Sequence, residues 1–236
     1  MSSENDMVEV SVLGPSKSLL TIIQLSDSAF PTGGFSHSSG LEAWYNTQKT
    51  GRNLSSNQLY QYILCCLENC GSFSLPFLNE ALNSCHDNDR LKELDGLFDV
   101  CTANHVSLKA SKRQGRSFLD TVSKVYPHLC SLEEVFIHCH YVVTVGTVCG
   151  LIGLDKEAVQ SMFVFLLVRN ILASAVRLNI VGPLEAQVLQ ERLNSNILDV
   201  IERYRHGKVE SACVTFPCVE IIQNTHDTLF SRLFYS

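Results

Sequence analysis

The chain has 236 residues, of which 45% are hydrophobic and 18% charged, so it is long and apolar enough to bury a sizeable core. Its formal net charge of -6 argues against the basic surface that general nucleic-acid binding requires. We therefore expect a globular protein that does not bind nucleic acid.

The cysteines and the start of the chain indicate a cellular compartment. Ten cysteines are scattered along the sequence, mostly inside apolar runs such as YILCCLENC, where free cysteine acts as a small hydrophobic residue. No C-x-x-C spacing occurs, which argues against a zinc knuckle or a thioredoxin-like site. The opening residues MSSENDMVEV lack the basic start and apolar stretch of a secretory signal. We expect reduced thiols and a cytoplasmic location.

Helical periodicity dominates the chain after a polar start. Residues 1–16 are predicted to form a flexible tail, followed by one all-helical domain over 17–236 whose first helix opens with LLTIIQL. Apolar residues then recur at helical spacing in three later segments. These are Leu59, Ile63, Cys66, Leu67 and Cys70; Leu91, Leu94, Phe98 and Cys101; and Leu184, Val188, Ile197, Val200, Ile201 and Tyr204. Breakers such as YPH at 126–128 and VGP at 181–183 separate the helices.

The segment 138–154 is rich in β-branched residues, yet we predict a helix there. A single hairpin in a helical chain would have no sheet to join. Gly146 and Gly150 stand one helical turn apart and make a shallow groove that a second helix can approach. The apolar stretch 141–154 is shorter than the roughly 20 residues that span a bilayer, so it is predicted to be a core helix. The sequence thus predicts an all-α fold, a single compact bundle of about nine to ten helices with no membrane span.

The stretch FPTGGFSHSSGLE, residues 30–42, is the most unusual part of the sequence. It lacks the lysine of a phosphate-binding loop and the second glycine and preceding strand of a nucleophile elbow. Pro31 discourages helix at Phe30, and Gly33 and Gly34 allow a positive φ. Ser39 and Glu42 have the spacing of a capping box for the next helix. We interpret the stretch as a corner between two helices.

Three other segments carry residues that suggest a site. His138 and His140 in HCH are metal-ligand types, but on a helix two residues so spaced would point to different faces. The segment LKASKRQGRSFL, residues 108–119, has a basic face that is predicted to be solvated, and Gly115 within it indicates close packing against another backbone. Arg177 lies in an apolar helix and must be paired or reach the surface; a structural ion pair is the simplest interpretation.

The final residues THDTLFSRLFYS, 225–236, are apolar and aromatic. Such a segment is not expected to hang free in water. It is predicted to dock either on its own domain or on another protein.

Taken together, four ordered motifs resemble the urease accessory protein F family, and plant members of it in particular. They are LLTIIQLSDSAFPTGGFSHSSGLE near the start, RQGRSFL in the middle, SAVRLNIVGPLEAQ in a late helix and HDTLFSRLFYS at the end. Each motif is weak alone, but four in the right order and spacing are specific. Residues of roughly 50–105 and 118–138 carry no such match.

The resemblance implies an all-helical accessory protein and no enzymatic activity. It implies binding to urease accessory protein D (called H in some organisms), homodimerisation, and recruitment of the nickel-carrying GTPase G to apo-urease. It also implies that no cofactor is bound permanently, that nickel passes through the assembly by an internal passage, and that the partner binds the GTP. No membrane is implied as a partner.

The resemblance also nominates site residues in this chain. Those expected to bind partners are Phe35, Ser36, His37, Gln114, Arg177, Gln187, His226, Arg232, Leu233 and Phe234. Those expected to hold turns in shape are Pro31, Gly33, Gly34, Gly40, Glu42, Gly115 and Gly182. No residue is assigned to bind a metal.

Two alternatives remain open at this stage. One is a metal-dependent hydrolase that uses His138 and His140 with Glu133 or Glu134. The other is a nickel-storage protein that uses cysteines such as Cys65, Cys66 and Cys70.

Overall fold

The computed structural model describes residues 14–48 and 54–236, which form ten α-helices with 3-10 segments in some of the connections. Within these residues there is no β-strand, and the predicted all-α class is confirmed. The helices are α1 Pro15–Ser26, α2 Leu41–Thr47, α3 Ser56–Asn69, α4 Leu75–Asn83, α5 Asn88–Cys101, α6 His105–Val125, α7 Tyr141–Ile152, α8 Lys156–Arg177, α9 Pro183–Tyr204 and α10 Pro217–Asn224. A π-helical segment, Cys70–Ser74, joins α3 to α4.

Helix α8 runs through the middle of the bundle and contacts α1, α2, α3, α4, α7 and α9. Val164, Val168 and Ile171 are fully buried along it. It is the one described helix that is long and apolar enough to cross a membrane by length and composition alone. Its packing on six other helices is that of a core helix.

Helix α7 lies against α4 through its two glycines, as the sequence predicts. A Cβ on Gly146 would lie 2.6 Å from the Leu78 carbonyl oxygen, and one on Gly150 would lie 2.7 Å from that of Leu82. Any side chain at these positions would separate the helices. The two glycines therefore allow α7 to approach the backbone of α4 closely.

The HCH segment is not part of α7, so the assumption that its histidines lie on a helix is wrong. Residues 138–140 form an extended turn in which Cys139 has a φ of 59°. The fully buried Asp95 holds this turn, because its carboxylate accepts the backbone N–H groups of 138, 139 and 140 at 2.7, 3.1 and 2.8 Å. Gly115 of α6 packs directly on the Cys139 carbonyl group, which confirms the predicted close backbone contact.

Some sequence boundaries differ from the observed ones. Pro15 and Ser16, which the sequence assigns to the N-terminal tail, begin α1, and residues 1–13 of that predicted tail lie outside the described residues. Leu184 and Val188 are exposed on α9, although their spacing matches its buried residues. Pro183 occupies the first turn of α9, where its missing N–H costs no hydrogen bond.

Replacing Gly115 with alanine tests the packing of α6. Its new Cβ would lie 2.8 Å from the Cys139 carbonyl carbon, and overpacking of this kind costs about 1–3 kcal/mol of unfolding free energy. The matched control is Gly96→Ala in α5, where nothing lies within 4 Å of the new methyl group. That change is expected to raise stability by about 0.5–1 kcal/mol. Urea denaturation measures both; equal effects at the two sites would contradict the close contact.

Candidate partner-binding site

The corner between α1 and α2 is shaped by two glycines in the left-handed region. Gly33 has a φ of 73° and Gly40 a φ of 81°, values that other residues adopt at a cost. Gly34 does not have a positive φ. It is restricted by space instead, because a Cβ there would lie 3.0 Å from the Asn170 amide nitrogen.

The predicted capping box at the start of α2 is wrong. Gly40, not Ser39, is the N-cap residue of α2, and Ser39 itself has a φ of 52°. The Glu42 side chain turns away from the helix start and binds the end of the chain.

Glu42 is a buried carboxylate that holds the last residues of the chain against the corner. Its two oxygens accept the backbone N–H groups of Leu233 at 2.6 Å and Phe234 at 3.1 Å. The His226 Nε2 lies 2.8 Å from the same carboxylate, and the side chains of both His226 and Glu42 are almost completely shielded from solvent. Hydrogen bonds to an ionised, buried carboxylate are among the stronger ones in proteins.

Backbone hydrogen bonds then join the corner to the final two residues. The Tyr235 N–H donates to the Ser36 carbonyl oxygen at 2.9 Å, and the Ser38 N–H donates to the Ser236 oxygen at 2.5 Å. The Ser38 hydroxyl donates to that same oxygen at 2.9 Å. The end of the chain is therefore docked on its own domain, which is one of the two outcomes predicted from the sequence.

Arg177 of α8 contacts both the corner and the tail. Its guanidinium lies 3.9 Å from the ring centroids of both Phe35 and Phe234 and donates a hydrogen bond to the Phe35 carbonyl oxygen. Among the described residues no carboxylate oxygen lies within 4 Å of it, so the expected ion pair is replaced by two cation–π contacts. Partial burial lowers the pKa of Arg177 from its usual value.

His37 is buried between the corner and the tail. Its Nδ1 lies 2.5 Å from the Ser236 hydroxyl oxygen. Burial, together with the nearby charges of Arg113 and His226, lowers the pKa of His37 to about 4. The imidazole is therefore neutral at physiological pH.

The amino-acid sequence of the chain is similar to those of known proteins. The UreF family model matches residues 55–194. The chain is 38% identical over 221 residues to urease accessory protein F of Arabidopsis thaliana, covering 90% of each chain. It is 35% identical over 219 residues to that of rice (Oryza sativa subsp. indica), covering 89% of this chain and 82% of the relative. It is 30% identical over 224 residues to UreF of Trichodesmium erythraeum, covering 91% and 95%.

The chain belongs to the urease accessory protein F family. The resemblance read from the four motifs is confirmed. The corner at 30–42 and the docked tail both lie outside the segment that the family model matches, so their mutual contact is a finding of the structure.

The nominated partner-binding residues separate into exposed and buried ones. Phe35 and Leu233 are exposed, and Arg232 is partly exposed with its guanidinium 3.1 Å from Asp227. His37, His226 and Phe234 are buried in the isolated chain and lie beneath the surface, and their role in partner binding stays a prediction. Ser36 is partly buried and bonds Gly33 through its hydroxyl group.

The remaining nominated residues are more dispersed. Gln114 lies close to Gly34, whose Cβ would be 3.6 Å from the Gln114 amide nitrogen. Gln187 is exposed on α9, and within the described residues it makes none of the tail contacts above. Gly182 is the N-cap of α9 with an ordinary φ of -76°, and Pro31 is exposed.

The sequence did not nominate Phe230, Tyr235 or Ile221, all of which are exposed. Phe230 and Tyr235 lie in the docked tail, and Ile221 lies on α10. Phe230 is completely exposed although it is an aromatic residue in an ordered segment. The only sequence feature that could have nominated Phe230 is its position in an apolar terminal segment. Phe35, Phe230, Leu233 and Tyr235, the exposed apolar residues of the corner and the tail, are called the tail surface below.

A cavity of about 400 Å³ lies behind the corner. Gly34, His37, Gln114 and Ser236 contribute to one side of it, and Asn69 of α3 contributes to another. The tail and the corner therefore border this partly open cavity as well as the outer surface.

The geometry does not favour the alternative metal-dependent hydrolase. Among the described residues no three His, Cys, Asp or Glu side chains are arranged to hold a metal ion. His140 Nε2 and His138 Nδ1 both face one oxygen of Asp99, at 3.0 and 3.6 Å, but the Lys112 ammonium also binds that oxygen. Although burial opposes it, the hydrogen bonds from Lys112 and His140 lower the pKa of Asp99.

The geometry does not favour nickel storage by Cys65, Cys66 and Cys70 either, since the described residues hold no cluster of three metal-ligating side chains. Cys66 and Cys70 are buried, and burial raises the pKa of Cys70 to about 12 and that of Cys66 still further. Burial also raises the pKa of the partly exposed Cys65. Metal binding requires thiolates, which these environments disfavour.

Replacing Glu42 with glutamine tests what holds the tail. The amide group would place a donor opposite one of the two backbone N–H groups, and leaving such a group unsatisfied costs about 1–3 kcal/mol. We expect faster hydrogen exchange at the Leu233 and Phe234 amides, measured by NMR, with the core amides unchanged. The exposed Glu185→Gln on α9 is the control. Unaltered exchange at both tail amides would show that Glu42 does not hold the segment.

The lowered pKa of His37 predicts a pH dependence. Because the pKa falls from 6.5 to about 4 on folding, the unfolded state binds more protons between these values. The stability from the neutral imidazole is complete above pH 6.5 and is lost as the pH falls towards 4. Compared with wild type, His37→Asn is expected to lose about 2–3 kcal/mol less unfolding free energy over this range. Denaturant titrations at several pH values measure this, and parallel profiles would contradict it.

Proposed function

We propose that this protein is a non-catalytic accessory protein of urease maturation that binds urease accessory protein D/H and recruits the nickel-carrying GTPase G to apo-urease. The single observation that carries the proposal is the tail surface, an ordered and exposed apolar patch. Soluble proteins seldom leave so many apolar side chains exposed together unless a partner covers them. Family membership supplies the context of urease maturation.

The chemistry of the patch suits a protein partner. Binding hot spots favour aromatic and arginine residues surrounded by well-packed neighbours. Phe35 and Arg177 are such a pair, and Phe234 fixes Arg177 from its other side. Because the Glu42 carboxylate has already ordered the tail, binding costs less conformational entropy than it would for a free segment.

The proposal assigns no permanent cofactor to this chain. Nickel is cargo that passes through the assembly, and the cavity behind the corner offers space for an internal passage. The GTP is bound by the GTPase partner. Within the described residues the chemistry above offers no resident metal site that would compete for the cargo.

Homodimerisation and a cytoplasmic location complete the proposal. Leu19, Leu20 and Ile23 are exposed on α1, at spacings that place them on one side of the helix. This apolar face is available to a second copy of the chain. It lies on a different element from the tail surface, so both contacts can form together.

Reconstitution tests the function. The chain is purified with protein D/H, GTPase G and apo-urease, nickel and GTP are added, and urease activity is measured. We expect Phe230→Ser to weaken complex formation about tenfold or more, in the range of an aromatic hot spot, and to lower activation at limiting protein. Because Phe230 is fully exposed, its loss leaves the fold intact.

The control is Val100→Ser, which removes an exposed apolar side chain from α5. This variant is expected to assemble and to activate urease as the wild type does. Activation that is independent of the chain, or equal losses in both variants, would overturn the proposal.

A further inference from the structure

A cleft of about 450 Å³ separates α6 from the docked tail. Lys109 and Arg113 line its α6 side, and Asp227 and Arg232 line its tail side. At neutral pH these side chains bring three positive charges and one negative charge to one concave place. The chain as a whole carries a net charge of -6, so the cleft differs in sign from the rest of the molecule.

Asp227 is the only acidic side chain among the described residues that line the cleft, and cations surround it. Its carboxylate lies 2.9 Å from the His105 Nε2, 3.6 Å from the Lys109 Nζ and 3.1 Å from the Arg232 guanidinium. The hydrogen bond from His105 and the charges of Lys109 and Arg232 lower the pKa of Asp227. One carboxylate is therefore already bound by this set of donors, and positive charge remains in excess.

Arg113 supplies most of that excess. It is exposed one helical turn beyond Lys109, and its guanidinium lies 5.0 Å above the Tyr235 ring. No carboxylate oxygen among the described residues lies within 4 Å of it. A guanidinium held against an aromatic face retains N–H donors that can bind a carboxylate in a bidentate manner.

The rim of the cleft is apolar. Leu233 and Tyr235 line it and are exposed at its edge, where it continues into the tail surface. A site for a free anion would need no such rim, whereas a peptide presents apolar and acidic groups side by side. Three cations are also few for a nucleic acid or an anionic membrane, which are bound by larger basic surfaces.

We propose that this cleft docks an acidic segment of a partner protein, whose Asp or Glu side chains bind Arg113 and Lys109. The inference rests on the proposed function only in taking the partner from the urease-maturation assembly. It assigns a role to the basic face of α6, which the sequence alone treats as solvated surface. The binding of acidic side chains can be measured on the isolated chain, so it can fail while the scaffold function stands.

The test uses the full chain and a synthetic peptide of alternating Glu and Gly residues, followed by NMR titration. We expect chemical-shift changes at amides of α6 and of residues 227–236, and weakening by salt between about 50 and 300 mM. The double variant Lys109→Gln/Arg113→Gln is expected to weaken binding about 2- to 30-fold, since each exposed ion pair contributes about 0.2–1 kcal/mol. A Lys-Gly peptide is expected not to bind.

The matched control is Arg116→Gln/Lys124→Gln, which removes the same charge from the same helix outside the cleft. It is expected to retain wild-type affinity. Equal weakening in both double variants would show a general charge effect and overturn the proposal. So would cleft-dependent binding of phosphatidylserine vesicles or of single-stranded RNA in place of the peptide.

Discussion

The Glu42 carboxylate is the group on which the candidate partner-binding region depends. It is buried at the start of α2, and its two oxygens bind the backbone of Leu233 and Phe234 and the ring of His226. A carboxylate that is removed from water is stable only if hydrogen-bond donors replace its lost hydration. Here the tail provides three such donors. The tail, in return, has backbone groups that no helix satisfies. Each side completes the other.

A second buried carboxylate in the fold also binds the backbone of an irregular segment. Asp95 of α5 is fully buried and accepts three consecutive backbone N–H groups from 138–140. Both carboxylates hold segments that have no regular secondary structure against helices that do. The helical bundle thus provides a rigid support, and two buried acids attach to it the irregular segments that regular hydrogen bonding cannot fix.

Ordering of the tail has two functional consequences. On the outside it fixes Phe35, Leu233, Tyr235 and Phe230 as one apolar surface next to the basic cleft of α6. On the inside it closes one wall of the cavity, through His37 and Ser236. In the proposed function, partner binding and access to the interior are therefore coupled by one segment. A non-catalytic accessory protein of the kind proposed would regulate an assembly in this way, because its surface and its cavity share residues.

The sequence by itself determined the elements of this protein. Helical periodicity, breakers and the glycines predicted the all-α class, a close helix contact at Gly146 and Gly150, and the close approach at Gly115, because such signals are local. The structure added that α4 is the helix that packs on Gly146 and Gly150. The ordered motifs identified the family, since they record residue identity. The sequence could also show that the tail docks, because an apolar segment avoids water.

Only the tertiary structure decided what the polar residues do. Glu42 has the spacing of a helix cap but binds residues almost two hundred positions away, and Arg177 is sandwiched between aromatic rings in place of an ion pair. HCH forms a turn, because Asp95 accepts hydrogen bonds from its backbone. The local sequence around HCH gives no sign of this distant carboxylate. Phe230 and Tyr235 became surface residues, whereas Phe234 between them became buried. Local patterns fix which backbone forms a helix, but the partner of a buried charge is chosen by whichever donors the folded chain brings to it.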